Sequence, residues 1–346
     1  DGESKTYTSN GLFCENYHCY NKPILAPADG IVEEIVDNVD DNEIGNVNTL
    51  NNWGNSIIIR HLPGLYTQLS HLKKGSFKVG KGDFVKRGDL VASCGNSGRS
   101  PEPHLHFQVQ TTPVLGSRTI DYPFAYYYEK NNGERQMKQF AKPPDGALVS
   151  GVNSDQLLKS AFDIIPNTVL KYSYENEKGI EKVEQWESYT DAYNYKYLYC
   201  KETESSAYYV NDGFMFYFTA FYGNKDSLLY YFYLSAYKVF LGDPENTEMN
   251  DALPLSVIRN KKISIWLQDF IAPFHNYIHV RYSIQPEYTN NLLDAETLIL
   301  KSKIQASVFG RIRNESNSKI ILSENCIKEF TYKSNKIKIQ AKCINS

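Results

Sequence analysis

Residues 82–107 have the sequence GDFVKRGDLVASCGNSGRSPEPHLHF. Two short apolar runs flank Arg87-Gly88, and a turn rich in Gly, Asn and Ser at 95–100 leads to His104-Leu105-His106. This pattern predicts strand, tight turn and strand, because Gly and Asn adopt the backbone conformations that such turns need. Residues i and i+2 of a strand share a face, so the two imidazoles should point the same way. Such a pair could serve a metal ion and a metal-bound water, although an ordinary polar strand face explains it as well.

The same strand pattern extends over residues 23–112. Short apolar runs recur there at spacings of about 8 to 12 residues and are separated by turn residues, which is typical of an all-β sandwich or barrel. The polar stretch 37–55 has no apolar periodicity and is predicted to be a long surface loop.

Length and composition limit the classes of protein to consider. A chain of 346 residues predicts two domains at about 150 residues each. The net charge of -3, from 37 basic and 40 acidic residues, gives no reason to expect a nucleic-acid partner. The 27 Tyr and 17 Phe favour a folded, mainly β protein. The longest apolar stretch, 228–241, contains Ser235 and Lys238 and is too short to span a membrane.

A second domain is predicted after a linker. The linker is placed at 128–148, because a charged stretch is followed there by the breaker cluster Lys142-Pro143-Pro144-Asp145-Gly146. The first domain is then 1–127, and 149–346 forms a second β-rich domain with one or two helices. Helical patterns occur at 154–165 and 255–278, and Tyr-rich segments such as 214–222 and 228–241 are predicted strands.

Five motifs in a fixed order carry a family resemblance. They are the segment 23–32 with Ala26-Pro27-Ala28-Asp29-Gly30, Gly54-Asn55 before the strand 56–61, Ser70-His71-Leu72, the run 82–91, and the turn 95–100 before the His pair. In this order they resemble the lysostaphin-type, or LytM-type, zinc metalloendopeptidases, which cut peptide bonds in bacterial peptidoglycan. The resemblance covers about residues 20–112. It implies an N-terminal antiparallel β sandwich or barrel built on a duplicated hybrid motif.

The resemblance also implies roles for three histidines. His106 occupies the position of a zinc ligand, and His104 and His71 occupy those of the catalytic histidines. A zinc-bound water would attack the scissile carbonyl, while the two imidazoles move its proton and stabilise the oxyanion. The implied substrates are stem or cross-bridge peptides of peptidoglycan, and the implied location is secreted, periplasmic or cell-envelope associated.

One feature of the family pattern is missing. Family members carry two further zinc ligands in a His-x-x-x-Asp motif before the Ala-Pro-Ala-Asp-Gly segment, and no His of this chain has Asp four positions later. Three explanations stay open at this point. The motif could precede Asp1, Asp1 could itself be the ligand Asp, or the domain could be a non-catalytic homologue that scaffolds or activates other wall hydrolases.

The six cysteines suggest an oxidising compartment. Cys326 and Cys343 flank a predicted hairpin around Ser334-Asn335 and are expected to form a cross-strand disulfide. Cys14 and Cys19 could close a small loop. The alternative is six buried thiols in a cytosolic protein.

The remaining histidines have simpler interpretations. His61 is expected to be structural and His18 to lie on the surface. A second zinc site at His275 and His279 is disfavoured, because Asn276 stands where a helical zinc motif needs Glu. The aromatic run 214–218 could stack on sugars, but core packing explains it better.

Overall fold

A computed structural model of the protein describes residues 5–131, 134–175, 179–242, 248–257, 268, 276–288 and 297–344. Antiparallel strands dominate these residues, which confirms the predicted mainly β fold class. The chain divides into two compact units, Asp1–Phe124 and Ala125–Ser346.

The first unit contains a five-stranded antiparallel sheet in the order β5-β2-β3-β4-β7 and a two-stranded sheet of β1 and β6. The central strand β3 is buried on both faces, since Ile57, Ile58 and Ile59 have no exposed surface. The strands are β1 (Pro23–Leu25), β2 (Gly30–Val36), β3 (Asn55–Leu62), β4 (Leu65–Leu72), β5 (Phe84–Val85), β6 (Leu90–Ser93) and β7 (His106–Gln110).

Residues 6–18 form a small hairpin, called here the N-terminal hairpin. Tyr7 and Tyr17 pair across it, and the amides of Thr8 and His18 donate to the carbonyls of Asn16 and Thr6. Its second arm contains a short 3-10 turn, Cys14–Asn16. The buried ring of Tyr17 anchors this segment in the first unit.

Most of the segment predicted as a linker, 128–148, is folded into strands. A three-stranded sheet in the order β10-β8-β9 is formed by β8 (Phe124–Asn131), β9 (Glu134–Ala141) and β10 (Leu148–Ser150). The breaker cluster at 142–146 is the connection between β9 and β10, so its Pro and Gly residues mark a turn within a sheet. The break between the compact units falls earlier, after Phe124.

The second unit also contains a twelve-stranded antiparallel sheet in the order β16-β15-β14-β13-β12-β11-β22-β21-β20-β19-β18-β17. Lys238 of β16 and Asp251 of β17 form an ion pair of 2.6 Å between the strands at the two ends of this order. The sheet therefore curves until its two edges meet. Its strands are β11 (Val169–Glu175), β12 (Glu181–Thr190), β13 (Lys196–Cys200), β14 (Ser205–Asn211), β15 (Met215–Tyr222), β16 (Lys238–Phe240), β17 (Met249–Ala252), β18 (Ile278–Tyr288), β19 (Leu298–Val308), β20 (Arg311–Ser323), β21 (Cys326–Ser334) and β22 (Lys338–Cys343).

Helix α2 (Leu228–Ser235) packs against the concave side of this sheet, and every one of its residues is buried. The helix begins at Ser227, whose hydroxyl accepts from the amide of Tyr230 at 3.1 Å. The buried carboxylate of Glu184 on β12 accepts from the amides of Leu228 and Leu229 at 2.8 and 3.2 Å. A carboxylate at this position satisfies the free N–H groups of the first turn and opposes the positive end of the helix dipole.

Replacing Glu184 by Gln should weaken this junction. We expect Glu184→Gln to lower the free energy of unfolding of the second unit by about 2 to 3 kcal/mol, because a neutral amide accepts more weakly and leaves a buried donor facing donors. Urea titration followed by circular dichroism measures the change. Glu181→Gln, on the exposed start of the same strand, is the matched control, and equal midpoints for the two variants would contradict this role.

The helix predictions have mixed outcomes. Helix α1 (Gln156–Ala161) lies within the predicted segment 154–165. The prediction of a strand over 228–241 is wrong for α2, because a helix that is apolar all round has no amphipathic period. Of the predicted helix 255–278, Leu255–Val257 is a 3-10 turn and Ile278 begins β18, while 258–267, 269–275 and therefore His275 lie outside the described residues. Within the described residues, no helix is long and apolar enough to cross a membrane.

The predicted disulfide between Cys326 and Cys343 is wrong. The hairpin turns at 334–337, one residue later than predicted, and Glu329 pairs with Lys342 across it. With this register Cys326 lies opposite Ser323 of β20, and Cys343 lies opposite Tyr172 of β11. The two cysteines therefore do not face each other, and they are not bonded. Cys14 and Cys19 are also not bonded, since their thiols donate to the carbonyls of Asn42 and Pro103.

The aromatic run of β15 belongs to the core. Phe216 and Phe218 are buried, and the ring of Phe218 lies 5.9 Å from that of Phe232 on α2. These rings stabilise the second unit and have no free face to stack on a sugar.

Candidate active site

Strands β4 and β7 bring the three predicted histidines together. His71 lies near the end of β4, His106 begins β7, and the two strands pair with Ser70 opposite His106. The ring centroid of His71 lies 4.7 Å from that of His104 and 6.0 Å from that of His106. His104 precedes β7 and is exposed, whereas His71 is buried.

The backbone of His71 has a left-handed conformation, with φ of 62°. This region is unfavourable for residues other than Gly, and it persists here because hydrogen bonds hold both sides of the residue. The amide of His71 donates to the carbonyl of Trp53 at 3.2 Å, and its carbonyl accepts from Gly95 at 3.0 Å. The left-handed conformation of His71 changes the direction of the chain at the end of β4, so that its carbonyl faces the amide of Gly95.

The imidazole of His71 is held as one neutral tautomer. Its Nδ1 lies 2.8 Å from the carbonyl oxygen of Ser97, which can only accept, so Nδ1 carries the hydrogen and Nε2 keeps a lone pair. The pKa of His71 is lowered to about 4, mainly by burial and to a smaller extent by the neighbouring His104 and His106, against the opposing effect of the Ser97 carbonyl. His71 is therefore uncharged at neutral pH.

The side chain of Ser97 joins three segments around His71. Its hydroxyl donates to the carbonyl of Leu72 at 2.8 Å and accepts from the amide of Asn55 at 2.9 Å. The buried side-chain amide of Asn55 in turn donates from Nδ2 to the carbonyls of Val39 and Leu72. The loop before β3, the end of β4 and the 95–100 turn are thus fixed to one another.

Gly98 allows this close approach. It has φ of +83°, and a Cβ atom there would lie 2.4 Å from the amide nitrogen of Gly54, well inside contact distance. Gly98 of the 95–100 turn is therefore required by backbone contact as well as by turn geometry.

Gly98→Ala should separate the turn from β3. We expect a loss of about 2 kcal/mol or more in the free energy of unfolding of the first unit, because left-handed strain and a backbone clash add. Gly82→Ala is the matched control, since Gly82 has φ of +93° but open space around its Cβ position. Thermal and urea unfolding should show a loss of only about 1 kcal/mol for the control. Equal losses in the two variants would show that the contact with Gly54 is unimportant.

A chain of buried amides fixes the tautomer of His106. Gln110 donates from Nε2 to the carbonyls of Thr112 and Val114, so its Oε1 faces Gln108. Gln108 then donates from Nε2 to this oxygen at 2.6 Å, and its own Oε1 lies 2.8 Å from Nε2 of His106. That nitrogen must carry the hydrogen, which leaves the lone pair of His106 on Nδ1.

His104 is oriented by its own loop, and His106 by an aromatic neighbour. Nδ1 of His104 donates to the carbonyl of Glu102 at 2.9 Å, which leaves its Nε2 as an acceptor. The ring of Trp53 lies 4.8 Å from that of His106. All three imidazoles therefore present a lone pair that no described hydrogen bond to the protein uses.

The other histidines have the roles expected for them. His61 bridges the carbonyl of Asp29 and the hydroxyl of Thr67 at 2.7 and 2.8 Å, and His18 is exposed. His279 lies on β18, within a strand.

The described residues do not fit a catalytic zinc ion. Such a site needs three protein ligands, and within the described segments no three His, Cys, Asp or Glu side chains are grouped to hold a metal. Asp1, considered above as the ligand Asp, lies outside the described residues. His106 is thus the one ligand position that the described chain fills.

Several residues of the site were not predicted from the sequence. Asn55 and Ser97 were included only as turn residues, and Trp53 was not singled out. Gln108 and Gln110 carry a visible signal, because polar residues at i+2 and i+4 from His106 share its strand face.

The pKa of His71 predicts how stability depends on pH. The unfolded histidine binds its proton near pH 6.5 and the folded one near pH 4. The unfolded state therefore binds more protons between these values, and stability should fall by about 3 kcal/mol as the pH drops from 6.5 to 4. His71→Asn tolerates the left-handed backbone and should lose this slope in urea titrations with a chelator present.

His18→Asn is the control for this measurement and should keep the wild-type slope. If His71→Asn shows the same pH dependence as the wild-type protein, His71 is not the group responsible.

Comparisons with known proteins concern the first unit. Residues 14–119 match the model of peptidase family M23. This match confirms the resemblance of the sequence to the M23, or lysostaphin, type.

Two relatives illustrate the match. An uncharacterized metalloprotease of Haemophilus influenzae is 35% identical over 86 residues, covering 25% of this chain and 15% of the relative. The peptidoglycan DD-endopeptidase ShyC of Vibrio cholerae is 32% identical over 104 residues, covering 30% of this chain and 21% of the relative. The match thus spans about a fifth or less of each relative.

Among solved structures, a putative peptidase M23 of Pseudomonas aeruginosa is 27% identical, with coverage of 26% of this chain and 34% of that chain and a TM-score of 0.22.

Proposed function

We propose that the first unit acts on the stem or cross-bridge peptides of bacterial peptidoglycan as an endopeptidase. The observation that carries the proposal is the group of three imidazoles, each locked as one tautomer with a free lone pair. The name of the Vibrio cholerae relative, a peptidoglycan DD-endopeptidase, supports the choice of substrate. Such a substrate would place the protein in the periplasm, in the cell envelope or outside the cell.

Two histidines would act on the scissile peptide. The exposed Nε2 of His104 is the accessible base for the proton of an attacking water. His71, uncharged because burial keeps its pKa near 4, offers Nε2 as an acceptor that orients the water or the peptide N–H. The fixed tautomers reduce the reorganisation that the reaction needs.

Zinc is the metal that this class of site uses, and in this proposal the Nδ1 atom of His106 is a ligand. The described residues supply no second or third ligand, so zinc binding by this chain depends on groups outside them. The roles proposed for His71 and His104 rest on their own geometry.

A second function is favoured by the lack of a second and a third zinc ligand among the described residues. Without further ligands among the described residues, the domain would bind wall peptides without cutting them and serve as a scaffold or regulator of wall hydrolases. The two functions share the substrate class and differ in turnover.

Digestion of purified peptidoglycan separates these functions. The full chain, incubated with zinc and cross-linked muropeptides, should convert dimers to monomers, as measured by liquid chromatography. His104→Ala and His71→Ala should each reduce the rate by about 100-fold or more, whereas His18→Ala, at an exposed residue outside the group of three histidines, should keep it. Where groups outside the described residues complete the zinc site, metal analysis should find about one zinc per chain in the wild-type protein and none in His106→Ala.

A metal-free wild-type protein that cuts nothing but still binds sacculi, and loses that binding in His104→Ala, would establish the scaffold function instead. Absence of both cleavage and binding would contradict the proposal as a whole.

A further inference from the structure

The cysteine pairs expected from the sequence are not formed, but the structure brings another pair together. Cys19 packs against the core cluster that contains Cys94, and the two thiols are close enough to influence each other's ionisation. They are 75 residues apart in the sequence, so the contact depends on the folded state.

Backbone hydrogen bonds fix this contact. The amide of Asn21 donates to the carbonyl of Cys94 at 2.8 Å, and the amide of Cys94 donates to the carbonyl of Lys22 at 2.9 Å. The amide of Lys22 also donates to the carbonyl of Cys19, which closes a tight turn over 19–22. The segment that carries Cys19 is thus hydrogen-bonded directly to Cys94.

The environments of the two thiols differ. Cys94 is buried and Cys19 is half-buried, so an external reagent reaches Cys19 first. Interaction with the Cys94 thiol lowers the pKa of Cys19, and the same interaction together with burial raises the pKa of Cys94. Cys19 is therefore the nucleophile of the pair.

We propose that Cys19 and Cys94 are an oxidisable thiol pair that forms a disulfide within the first unit by exchange with a small-molecule disulfide. The Cys19 thiolate attacks one sulfur of the reagent, forms a mixed disulfide and releases the first thiol. Cys94 loses its proton and attacks the Cys19 sulfur, which releases the second thiol. The chain loses two hydrogens, and the reagent is reduced to two thiols.

The pair lies between backbone groups that adjoin the active-site histidines. The thiol of Cys19 donates to the carbonyl of Pro103, the residue before His104, at 3.0 Å. Gly95, the residue after Cys94, donates its amide to the carbonyl of His71. Disulfide formation removes the hydrogen bond from Cys19 to the carbonyl of Pro103. It also joins Cys19, which follows the N-terminal hairpin, covalently to Cys94, which precedes the 95–100 turn.

Oxidation of the full chain tests the proposal. Reduced protein is treated with oxidised glutathione, alkylated and analysed by mass spectrometry. Before alkylation the intact mass should fall by about 2 Da, and afterwards we expect a peptide that links Cys19 to Cys94, with reversal by dithiothreitol. Cys14→Ser is the matched control from the same segment and should still form the bond, whereas Cys19→Ser should leave Cys94 as a thiol.

Two outcomes would overturn the inference. One is an oxidised wild-type protein in which both thiols are alkylated after unfolding. The other is a linkage of Cys19 to Cys14 in place of Cys94. The ring resonances of His104 give an independent readout: they should shift on oxidation of the wild-type protein and stay unchanged in Cys19→Ser. This test does not require peptidase activity.

Discussion

The buried hydroxyl of Ser97 is the contact on which the candidate active site depends. This hydroxyl accepts from the backbone amide of Asn55 and donates to the carbonyl of Leu72. The backbone carbonyl of Ser97 fixes the ring of His71. One residue therefore determines both where the 95–100 turn lies and which nitrogen of His71 is free. A buried polar group that satisfies all its partners specifies a single arrangement, because any displacement leaves several donors or acceptors unpaired.

The site is costly to build, and its costs fall on the same few residues. His71 has a strained backbone, which opposes folding at every pH, and a buried imidazole whose suppressed protonation opposes folding in acid. The central strand offsets these costs, since Ile57, Ile58 and Ile59 are buried without polar atoms in their side chains. Strand β3 therefore contributes buried apolar area to stability, whereas β4 and β7 carry His71 and His106 of the candidate site.

Local sequence predicted what depends on local geometry. The strands of the first unit and the meeting of His71 with His104 and His106 follow from turn residues, strand period and family resemblance. The tautomer of His106 could not be predicted, because it depends on amides that interact only once β7 and the loop after it are folded. The disulfide prediction failed for a similar reason: a shift of the turn by one residue moves every cross-strand pair.

Buried polar side chains contact backbone amides in the second unit and a histidine of the candidate site in the first unit. In the second unit the carboxylate of Glu184 is consumed by amides of α2 and by the indole of Trp186, which leaves it no capacity for a ligand. In the first unit the buried amides of Gln108 and Gln110 end on an imidazole whose other nitrogen has no described protein partner. A polar network that closes on the backbone stabilises a fold, whereas one that leaves an acceptor facing outward prepares a site. By this criterion the first unit carries the proposed chemistry, and the buried network around Glu184 in the second unit holds α2 within its curved sheet.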